Sequence, residues 1–349
     1  MQPWAAQAQV ILPGFQTPHN ALISDMIIQN FGWKRFLVQE LLRGHLPLWN
    51  PDMLGGAPFL AAGQYQVLYP FILWFVFLPI AYAYSFYTVS QLGLAAVFAY
   101  LYMRSIGEGR LGAVLTGVVF SLCSSLLTSV LWPQMIGAMI WLPAILACVE
   151  LTMRGLNVRE PGKEDFRPVL AVSGVVLGAF AIGLEIFAGH LEITFYVLFT
   201  TSGYCLWHLL RMVLKHTSWR QITSTAAWLL TMGILGIGLS ALQLLPFAEE
   251  ISRNFRANSV TLADVQGWAF PIRQLVTFII PDFFGNPTVH HYVDLFSFHV
   301  RQPGLGVDGQ ASWPPDTAFW GIKNYVEAAS YVGIIPLVLA PLGAIVRRN

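Results

Sequence analysis

The residues best suited to chemistry lie within the first 70 positions of the chain. A lone acid, Asp25, is followed by Gln29 and then by a polar, aromatic stretch that contains Trp49, Asn50 and Tyr65 among prolines and glycines. A positioned carboxylate can act as a general base, and aromatic and amide side chains can line a pocket for a polar ligand. The segment is too polar to cross a membrane, and its composition indicates a surface loop that holds a site.

Two arginines form a second candidate group. Arg253 and Arg256 are three residues apart, a spacing that places both side chains on one face of a helix. Two guanidinium groups in that arrangement suit a bidentate grip on a phosphate. The alternative is that they pair with Glu249 and Glu250 on a solvated face.

A short turn between two apolar stretches holds a third group. Glu185, His190 and Glu192 lie within eight residues of one another here. Ionisable groups at membrane depth are costly and usually functional, which favours a site. The alternative is that headgroup water simply solvates them.

The stretch 248–327 is much longer than a loop that only connects two helices, which indicates a functional segment. His290, His291 and Asp294 within it could bind a metal, but their spacing matches no standard zinc pattern. Whether a divalent cation assists Asp25 stays open, and no other cofactor is indicated. The chain lacks the GxSxG, HExxH and P-loop motifs that typically mark hydrolases, metalloproteases and nucleotide-driven pumps.

The elements that must position these groups are predicted to be membrane helices. Charged residues are 11% of the chain and hydrophobic residues 56%, with a mean hydropathy of +0.59, whereas soluble domains are roughly 25% charged. A net charge of +1 without a basic stripe gives no support for nucleic acid as a partner. The three cysteines lie apart in apolar runs without CxxC spacing and are interpreted as small buried hydrophobic residues.

The fold class that follows is an all-α polytopic membrane protein with about seven transmembrane helices. A bilayer core of about 30 Å needs about 20 apolar residues per crossing. Apolar runs of about that length occur at 84–103, 111–130, 135–153, 168–187, 193–212, 226–247 and 328–346.

The basic residues between these runs predict the orientation. They cluster after alternate runs, at Arg104 and Arg110, at Arg154, Arg159, Lys163 and Arg167, at Arg211, Lys215 and Arg220, and at Arg347 and Arg348. The turns near 131–134 and 188–192 carry no lysine or arginine. By the positive-inside rule the basic loops are cytoplasmic, which places the N-terminal region, both turns and the long loop outside.

Four parts result from this orientation. They are an extracytoplasmic first loop with juxtamembrane helices (1–83), a six-helix transmembrane bundle (84–247), a second extracytoplasmic loop (248–327), and a last transmembrane helix with a cytoplasmic end (328–349). Such a protein is expected to be multi-pass in a bacterial cytoplasmic membrane, with the lipid bilayer as its first partner.

One apolar run within the first part leaves an alternative open. Residues 67–83 contain Pro70 and Pro79 and are surrounded by tyrosine and tryptophan, which favours a helix at the membrane interface. If the run instead crossed the membrane, it would be an eighth helix and residues 1–66 would lie in the cytoplasm.

The order of short motifs resembles that of the bacterial YfhO-type membrane proteins, which are similar to glycosyltransferases of the GT-C fold. The motifs are Asp25 and Gln29, Leu46-Pro47-Leu48-Trp49-Asn50-Pro51, Gly56-Ala57-Pro58-Phe59-Leu60, Tyr69-Pro70, Gly189-His190, Leu242-Gln243-Leu244-Leu245-Pro246, Pro281-Asp282-Phe283-Phe284-Gly285 and Tyr331-Val332-Gly333. The resemblance covers nearly the whole chain but only the N-terminal half of the family pattern. A first span before the loop and a C-terminal half are therefore expected beyond the two ends of this sequence.

This resemblance implies a GT-C-like enzyme that uses a polyprenyl-phosphate sugar donor at the outer membrane face to modify a cell-envelope acceptor. It implies that Asp25 is the catalytic acid, acting as the general base in an inverting transfer. Arg253, Arg256 and His190 are then the candidates for the donor phosphate. The substrate pocket is assigned to Gln29, Trp49, Asn50, Tyr65 and Glu192.

Two readings from other classes compete with the enzyme. A lipid or solute transporter or flippase fits the polytopic architecture, but the predicted spans hold almost no charge and show no inverted repeat. A non-catalytic membrane scaffold is the other. Substrate-dependent flux would favour the transporter, and sugar incorporation the enzyme.

Overall fold

The structure is a computed structural model that describes residues 25–53, 55–156, 166–253, 261–267, 269–270, 272–284, 292–294, 299–301, 304–305, 311–312, 325–326 and 329–346. It divides into two compact units, Ile28–Val260 and the combination of Met1–Ile27 with Thr261–Asn349. Each unit is described by itself.

The larger unit begins with short elements. A π-helical turn, Met26–Asn30, leads from the smaller unit into helix α1 (Phe31–Leu42). A minimal antiparallel hairpin follows, in which β1 (Trp49–Asn50) pairs with β2 (Ala57–Pro58). A 3-10 turn (Pro70–Ile72) and the five-residue helix α2 (Leu73–Phe77) come next.

Six helices of the described chain are long and apolar enough to cross a membrane. We number them span 1 (Ile80–Ser105), span 2 (Arg110–Leu131), span 3 (Pro133–Gly155), span 4 (Pro168–Phe187), span 5 (Leu191–Leu214) and span 6 (Trp219–Leu239). Span 2 is built from helices Arg110–Ser121 and Ser124–Thr128 with a 3-10 turn, and span 3 from Pro133–Met139 and Trp141–Gly155. The prediction of an all-α, multi-pass membrane protein is confirmed at this level.

The first six predicted runs coincide with these spans, with shifted ends. The sixth run was predicted to reach residue 247, but the helix stops at Leu239 and a separate helix (Ala241–Arg253) begins after Ser240. The seventh run contains a 13-residue apolar helix, Ile334–Val346, in the smaller unit. In the run 67–83, helical segments of three and five residues come before the start of span 1 at Ile80, and both are far shorter than the roughly 20 residues of a crossing.

Local sequence explains where the spans begin. Spans 3 and 4 start with proline at the first helical position. Proline is favourable there because a backbone N–H at this position would have no acceptor within the helix. Span 6 starts after Ser218, whose side chain accepts a hydrogen bond from the backbone N–H of Gln221. Span 1 starts after Pro79, and the extended Leu78 before it separates this span from α2.

Spans 3 and 4 form the centre of the bundle. In each, 61% of the most apolar window is buried, against 17% to 28% in the other four spans. Glycines allow spans 3 and 4 to approach closely, since a Cβ at Gly174 would clash with Thr152 and one at Gly155 with Ala171. Span 6 approaches span 4 in the same way, since a Cβ at Gly236 would lie 2.7 Å from Ile182. Small residues at helix contacts are typical of membrane bundles.

One end of the bundle gathers the loops that are rich in arginine. The guanidinium of Arg154 at the end of span 3 donates to the backbone carbonyls of Arg104 and Ser105 at the end of span 1. The backbone N–H of Arg167 donates to the carbonyl of Gly155 at 2.9 Å. We call this the basic end.

The smaller unit combines short helices and hairpins. Its described elements are Leu262–Gly267, the 3-10 helix Ile272–Phe278, the paired strands β3 (Tyr292–Asp294) and β4 (His299–Arg301), the paired strands β5 (Gly304–Leu305) and β6 (Ala311–Ser312), and Ile334–Val346. The hydroxyl of Tyr325 donates to the carboxylate of Asp282 at 2.7 Å, which ties two distant segments together.

Candidate functional site

The loop before span 1 is fixed to the bundle by a chain of buried hydrogen bonds. Lys34 on α1 donates from Nζ to the carbonyl of Tyr65 at 3.0 Å and to Oε1 of Gln66 at 2.7 Å. Gln66 Nε2 donates to the hydroxyl of Tyr87 at 2.8 Å, and that hydroxyl donates to the carbonyl of Pro133 at 2.8 Å. The chain therefore joins α1, the loop, span 1 and the start of span 3.

A second set of bonds lies three residues further along the loop. The Tyr69 hydroxyl donates to Oε1 of Gln91 at 2.8 Å and accepts from Nε1 of Trp141 at 3.2 Å. Tyr69 is fully buried. Because a buried polar group without a partner is costly, these contacts select one position for the loop on spans 1 and 3.

The turn between spans 4 and 5 closes against the same loop. Gly189 has φ of +85°, and a Cβ at this position would clash with the carbonyl oxygen of Gly63. The side-chain amide of Gln243, just after span 6, donates to the carbonyl of Leu60 at 2.6 Å. Three segments that are far apart in sequence therefore meet at one end of the bundle, which we call the docked end.

His190 contributes a neutral imidazole to the docked end. Its Nδ1 accepts a hydrogen bond from the backbone N–H of Ile193 at 3.3 Å and so caps span 5. Burial lowers the pKa of His190, and the charge of Glu192 opposes this only in part. The sequence suggested a phosphate-binding role for this residue, which in this state would rest on the Nε2 N–H as a donor and not on a positive charge.

The two acids of this turn differ in exposure. Glu192 is exposed, and its carboxylate accepts a hydrogen bond from the Tyr196 hydroxyl at 3.4 Å. Glu185 is fully buried, and neither of its carboxylate oxygens has a hydrogen-bond partner in the described part of the chain. Glu192 is therefore the acid of this turn that a ligand in solution could contact.

The three aromatic and amide candidates of the first loop have different environments. Trp49 is 55% exposed, and its indole covers Gly56, where a Cβ would lie 2.7 Å from the ring. Asn50 is buried, and its side-chain oxygen accepts from the backbone N–H of Asp52 at 2.9 Å. Trp49 is thus available to a ligand, whereas Asn50 shapes the turn.

Tyr65 belongs to the core of the docked loop. Its ring stacks on Phe59 with centroids 4.2 Å apart and contacts Trp33 at 4.6 Å. Burial, with a smaller effect of the negative charge of Glu250, raises the pKa of Tyr65. Tyr65 therefore anchors the loop through its ring contacts, and the Glu250 carboxylate acts on its hydroxyl electrostatically.

The catalytic candidate itself lies in the smaller unit. Asp25 is half-buried and directly precedes the π-helical turn, and Gln29 within that turn is exposed. Within the larger unit, the structure brings the Tyr65 loop beside the turn that carries His190 and Glu192.

The arginine pair is described in part. Arg253 at the end of its helix is exposed and forms an ion pair with Glu249 at 2.7 Å, one helical turn away. This is the pairing that the sequence left open as an alternative to phosphate binding. Arg256 lies outside the described residues, as do His290 and His291. Among the residues that are described, no group of three or more acids, histidines and cysteines could hold a metal ion.

Lys34 was not identified from the sequence. It is 2% exposed, its ammonium lies 5.6 Å from the ring centroid of Phe75, and burial lowers the pKa of Lys34 to about 7. The sequence contained one signal for this burial: Lys34 precedes Leu37 by three residues and so shares an otherwise apolar helix face with it, and both residues are buried.

A second missed group lies within the spans, near the basic end. Glu150 on span 3 accepts hydrogen bonds at Oε1 from the hydroxyl of Tyr204 and from Nε2 of His208, the latter at 3.0 Å. Glu150 is 1% exposed and His208 is 9% exposed. We call these three residues the span 3–5 cluster.

Comparison with protein-family models, with curated proteins and with solved structures finds no match for this chain. Two polar groups of the described chain lie towards opposite ends of the bundle, the docked end and the span 3–5 cluster.

Proposed function

We propose that this protein is an integral membrane glycosyltransferase of GT-C type. It transfers a sugar from a polyprenyl-phosphate carrier to a cell-envelope acceptor at the extracytoplasmic face of a bacterial cytoplasmic membrane. The motif order that resembles YfhO-type proteins supports this proposal, and so does the architecture of the docked end.

The docked end is the observation that carries the proposal. Three separate segments supply polar groups there, while the opposite end holds the arginine-rich loops. A lipid-linked sugar presents its head group at the membrane surface and keeps its tail in the bilayer. A rigid polar platform at the end of a bundle suits such a donor, because positioning of reactants supplies a large part of a rate enhancement.

The proposed reaction is a single displacement with inversion. Asp25 removes the proton from an acceptor hydroxyl as that oxygen attacks the anomeric carbon. The new carbon–oxygen bond forms while the bond from the anomeric carbon to the phosphate oxygen breaks, and the electron pair leaves with the lipid phosphate. Proton transfer of this kind typically contributes about 10²–10⁴-fold to the rate.

Other residues would stabilise the leaving phosphate and the sugar. Arg253 would exchange its partner Glu249 for the phosphate, and His190 would donate its Nε2 N–H. Arg256 is the second arginine that the sequence assigns to the phosphate. The exposed indole of Trp49 offers a face for the sugar. Gln29, Glu192, Asn50 and Tyr65 complete the proposed pocket, with Asn50 and Tyr65 acting through loop shape.

The test is donor binding and transfer by the full chain in nanodiscs, with short-chain polyprenyl-phosphate sugars. Asp25→Asn should lose transfer and keep donor binding, because the amide keeps the shape but cannot accept the proton. Asp52→Asn, which changes an exposed acid of the same loop region, is the matched control and should stay active. Full transfer by a well-folded Asp25→Asn protein would refute the assignment.

A proton-coupled transporter or flippase is the second candidate, and the span 3–5 cluster favours it. The sequence argued against transport because the spans hold few charges, yet Glu150 and His208 form a buried pair within them. Ion relays place such groups inside the membrane. Substrate flux in proteoliposomes without sugar transfer would favour this candidate, and neither activity would favour a scaffold.

A further inference from the structure

The smaller unit contains a short helix whose polar and apolar sides are exchanged relative to a helix in water. We call residues 272–280 the inverted segment; it comprises the 3-10 helix Ile272–Phe278 and the two isoleucines that follow it. Its buried side chains are polar, since Gln274 is 0% exposed and Thr277 is 4% exposed. A helix at the surface of a water-soluble protein normally buries its apolar side and exposes its polar side.

The apolar side chains of the inverted segment lie at its surface. Ile272, Leu275, Ile279 and Ile280 are all exposed, and Ile272 reaches 85%. A 3-10 helix has three residues per turn, so residues three apart share a face. Gln274 and Thr277 therefore form one buried polar face, whereas Ile272 and Leu275 form an exposed apolar face.

The buried polar face is closed to water. The Thr277 hydroxyl donates to the backbone carbonyl of Gln274 at 2.6 Å. Neither the oxygen nor the nitrogen of the Gln274 side-chain amide has a hydrogen-bond partner in the described part of the chain. A buried amide without a partner is costly, so in water Gln274 would be favoured at the surface and Leu275 in the interior. The observed arrangement is the one expected where the surroundings of the segment are apolar.

The backbone of the segment also suits apolar surroundings. Just after the helix, the N–H groups of Ile279 and Ile280 donate to the carbonyl of Val276 at 3.0 Å and 2.9 Å, and the N–H of Phe283 donates to the carbonyl of Ile280 at 3.1 Å. In a bilayer, backbone groups must find their partners within the protein because no water is present. These local bonds meet that requirement beyond the end of the helix.

A second element of the same unit has the same kind of surface. The helix Ile334–Val346 is apolar and none of its residues is buried. It lies in the run that the sequence predicts as the last membrane helix. The hydrogen bond from Tyr325 to Asp282 joins the chain shortly before this helix to the chain directly after the inverted segment. The apolar surface of the inverted segment is thus tied to a surface that is expected to contact lipid.

We propose that the inverted segment inserts into the bilayer, with lipid acyl chains as the partner of its apolar side chains. Seven residues of 3-10 helix extend over roughly 14 Å, against a hydrocarbon core of about 30 Å, so the segment enters one leaflet and does not cross. Its sequence holds a single charge, Arg273, which limits the depth to the region near the headgroups. The long loop 248–327 is then anchored in the membrane at this point. This inference goes beyond the proposed sugar transfer and does not depend on it.

The test is spin labelling of single cysteines in the full chain in nanodiscs, in a background whose three native cysteines are replaced by alanine. The accessibility of each label to oxygen, which concentrates among acyl chains, is divided by its accessibility to a water-soluble nickel chelate. Leu275→Cys and Ile279→Cys probe the inverted segment. Leu230→Cys, at an exposed leucine in the middle of span 6, is the lipid reference, and Asp52→Cys, at an exposed acid, is the water reference.

The ratio at Leu275→Cys and Ile279→Cys should match the ratio at Leu230→Cys and exceed the ratio at Asp52→Cys severalfold. The lipid reference also shows that the bundle is inserted, so the result does not depend on an assumption about folding. The proposal requires the lipid-like ratio at both positions. High accessibility to nickel at either position would place that side chain in water and overturn the proposal. Low accessibility to both reagents would place it against protein and overturn the proposal as well.

Discussion

The buried Lys34 ammonium makes the stability of the docked loop depend on pH. Burial lowers the pKa of Lys34 from 10.5 to about 7. In the unfolded chain this lysine takes up a proton below 10.5, whereas in the folded chain it does so only near 7. The folded state therefore has its full stability above 10.5 and loses it as the pH falls towards 7.

The magnitude follows from the size of this shift. One pKa unit corresponds to about 1.4 kcal/mol, so the free energy of unfolding should rise by about 2–3 kcal/mol between about pH 7 and pH 9. This window stays below the range in which tyrosines ionise. The Lys34→Met variant keeps the length of the side chain and removes the titrating group, so this part of the rise should disappear.

The variant has a cost that does not depend on pH. Tyr65 and Gln66 each lose the donor that Lys34 supplies. An unpaired buried acceptor costs about 1–3 kcal/mol. Lys34→Met should therefore be close to wild type in stability near neutral pH, where removal of the buried charge offsets these losses, and clearly less stable at alkaline pH.

The assay is reversible unfolding in mixed micelles by titration with a denaturing detergent, repeated across this pH window. Arg35→Met is the matched control, because Arg35 is the exposed neighbour of Lys34 on the same helix and stays charged throughout. The quantity of interest is the difference in unfolding free energy between wild type and variant. If that difference is the same at both ends of the window, Lys34 does not carry the pH dependence and the reasoning fails.

Three further predictions concern the docked end. Gly189→Ala should destabilise the protein by about 2–4 kcal/mol in the same assay, because a Cβ is disfavoured by the left-handed backbone and would clash with Gly63. The control is Gly203→Ala on span 5, where a Cβ would enter open space and stability should change little. Tyr69→Phe should cost about 1–3 kcal/mol by leaving Gln91 unpaired, and an unchanged unfolding midpoint would contradict the buried network. Because burial lowers the pKa of His190 below 6.5, stability should be lost as the pH falls through and below that value, and His190→Asn, which keeps a capping acceptor, should reduce this acid loss in unfolding titrations.

The membrane helices were predictable from sequence because a long apolar run has few alternatives to a helix in a bilayer. Their ends were less predictable: the run through Gln243 is apolar beyond Ser240, yet the helix breaks there and the Gln243 amide reaches the loop at Leu60. Hydropathy cannot record that break, since the residues on both sides of it are apolar.

The sequence singled out several residues that lie at the docked end, but not the state of those residues. The motifs around Tyr65, His190 and Gln243 were recognised separately, and the structure brings their segments together. The neutrality of His190, the burial of Lys34 and the pairing of Glu150 with His208 depend on contacts between residues far apart in the chain. A linear pattern carries no information on such contacts.

The glycine contacts between spans 3 and 4 imply that different residues determine insertion into the membrane and packing between helices. Bulky apolar side chains on the outer faces of spans 2, 5 and 6 supply much of the affinity for lipid, whereas Gly155 and Gly174 add almost none and decide how closely two helices approach. If leucines replaced these glycines, hydropathy would still predict the same membrane spans. The chain would still insert into the bilayer, but spans 3 and 4 could no longer pack closely against each other.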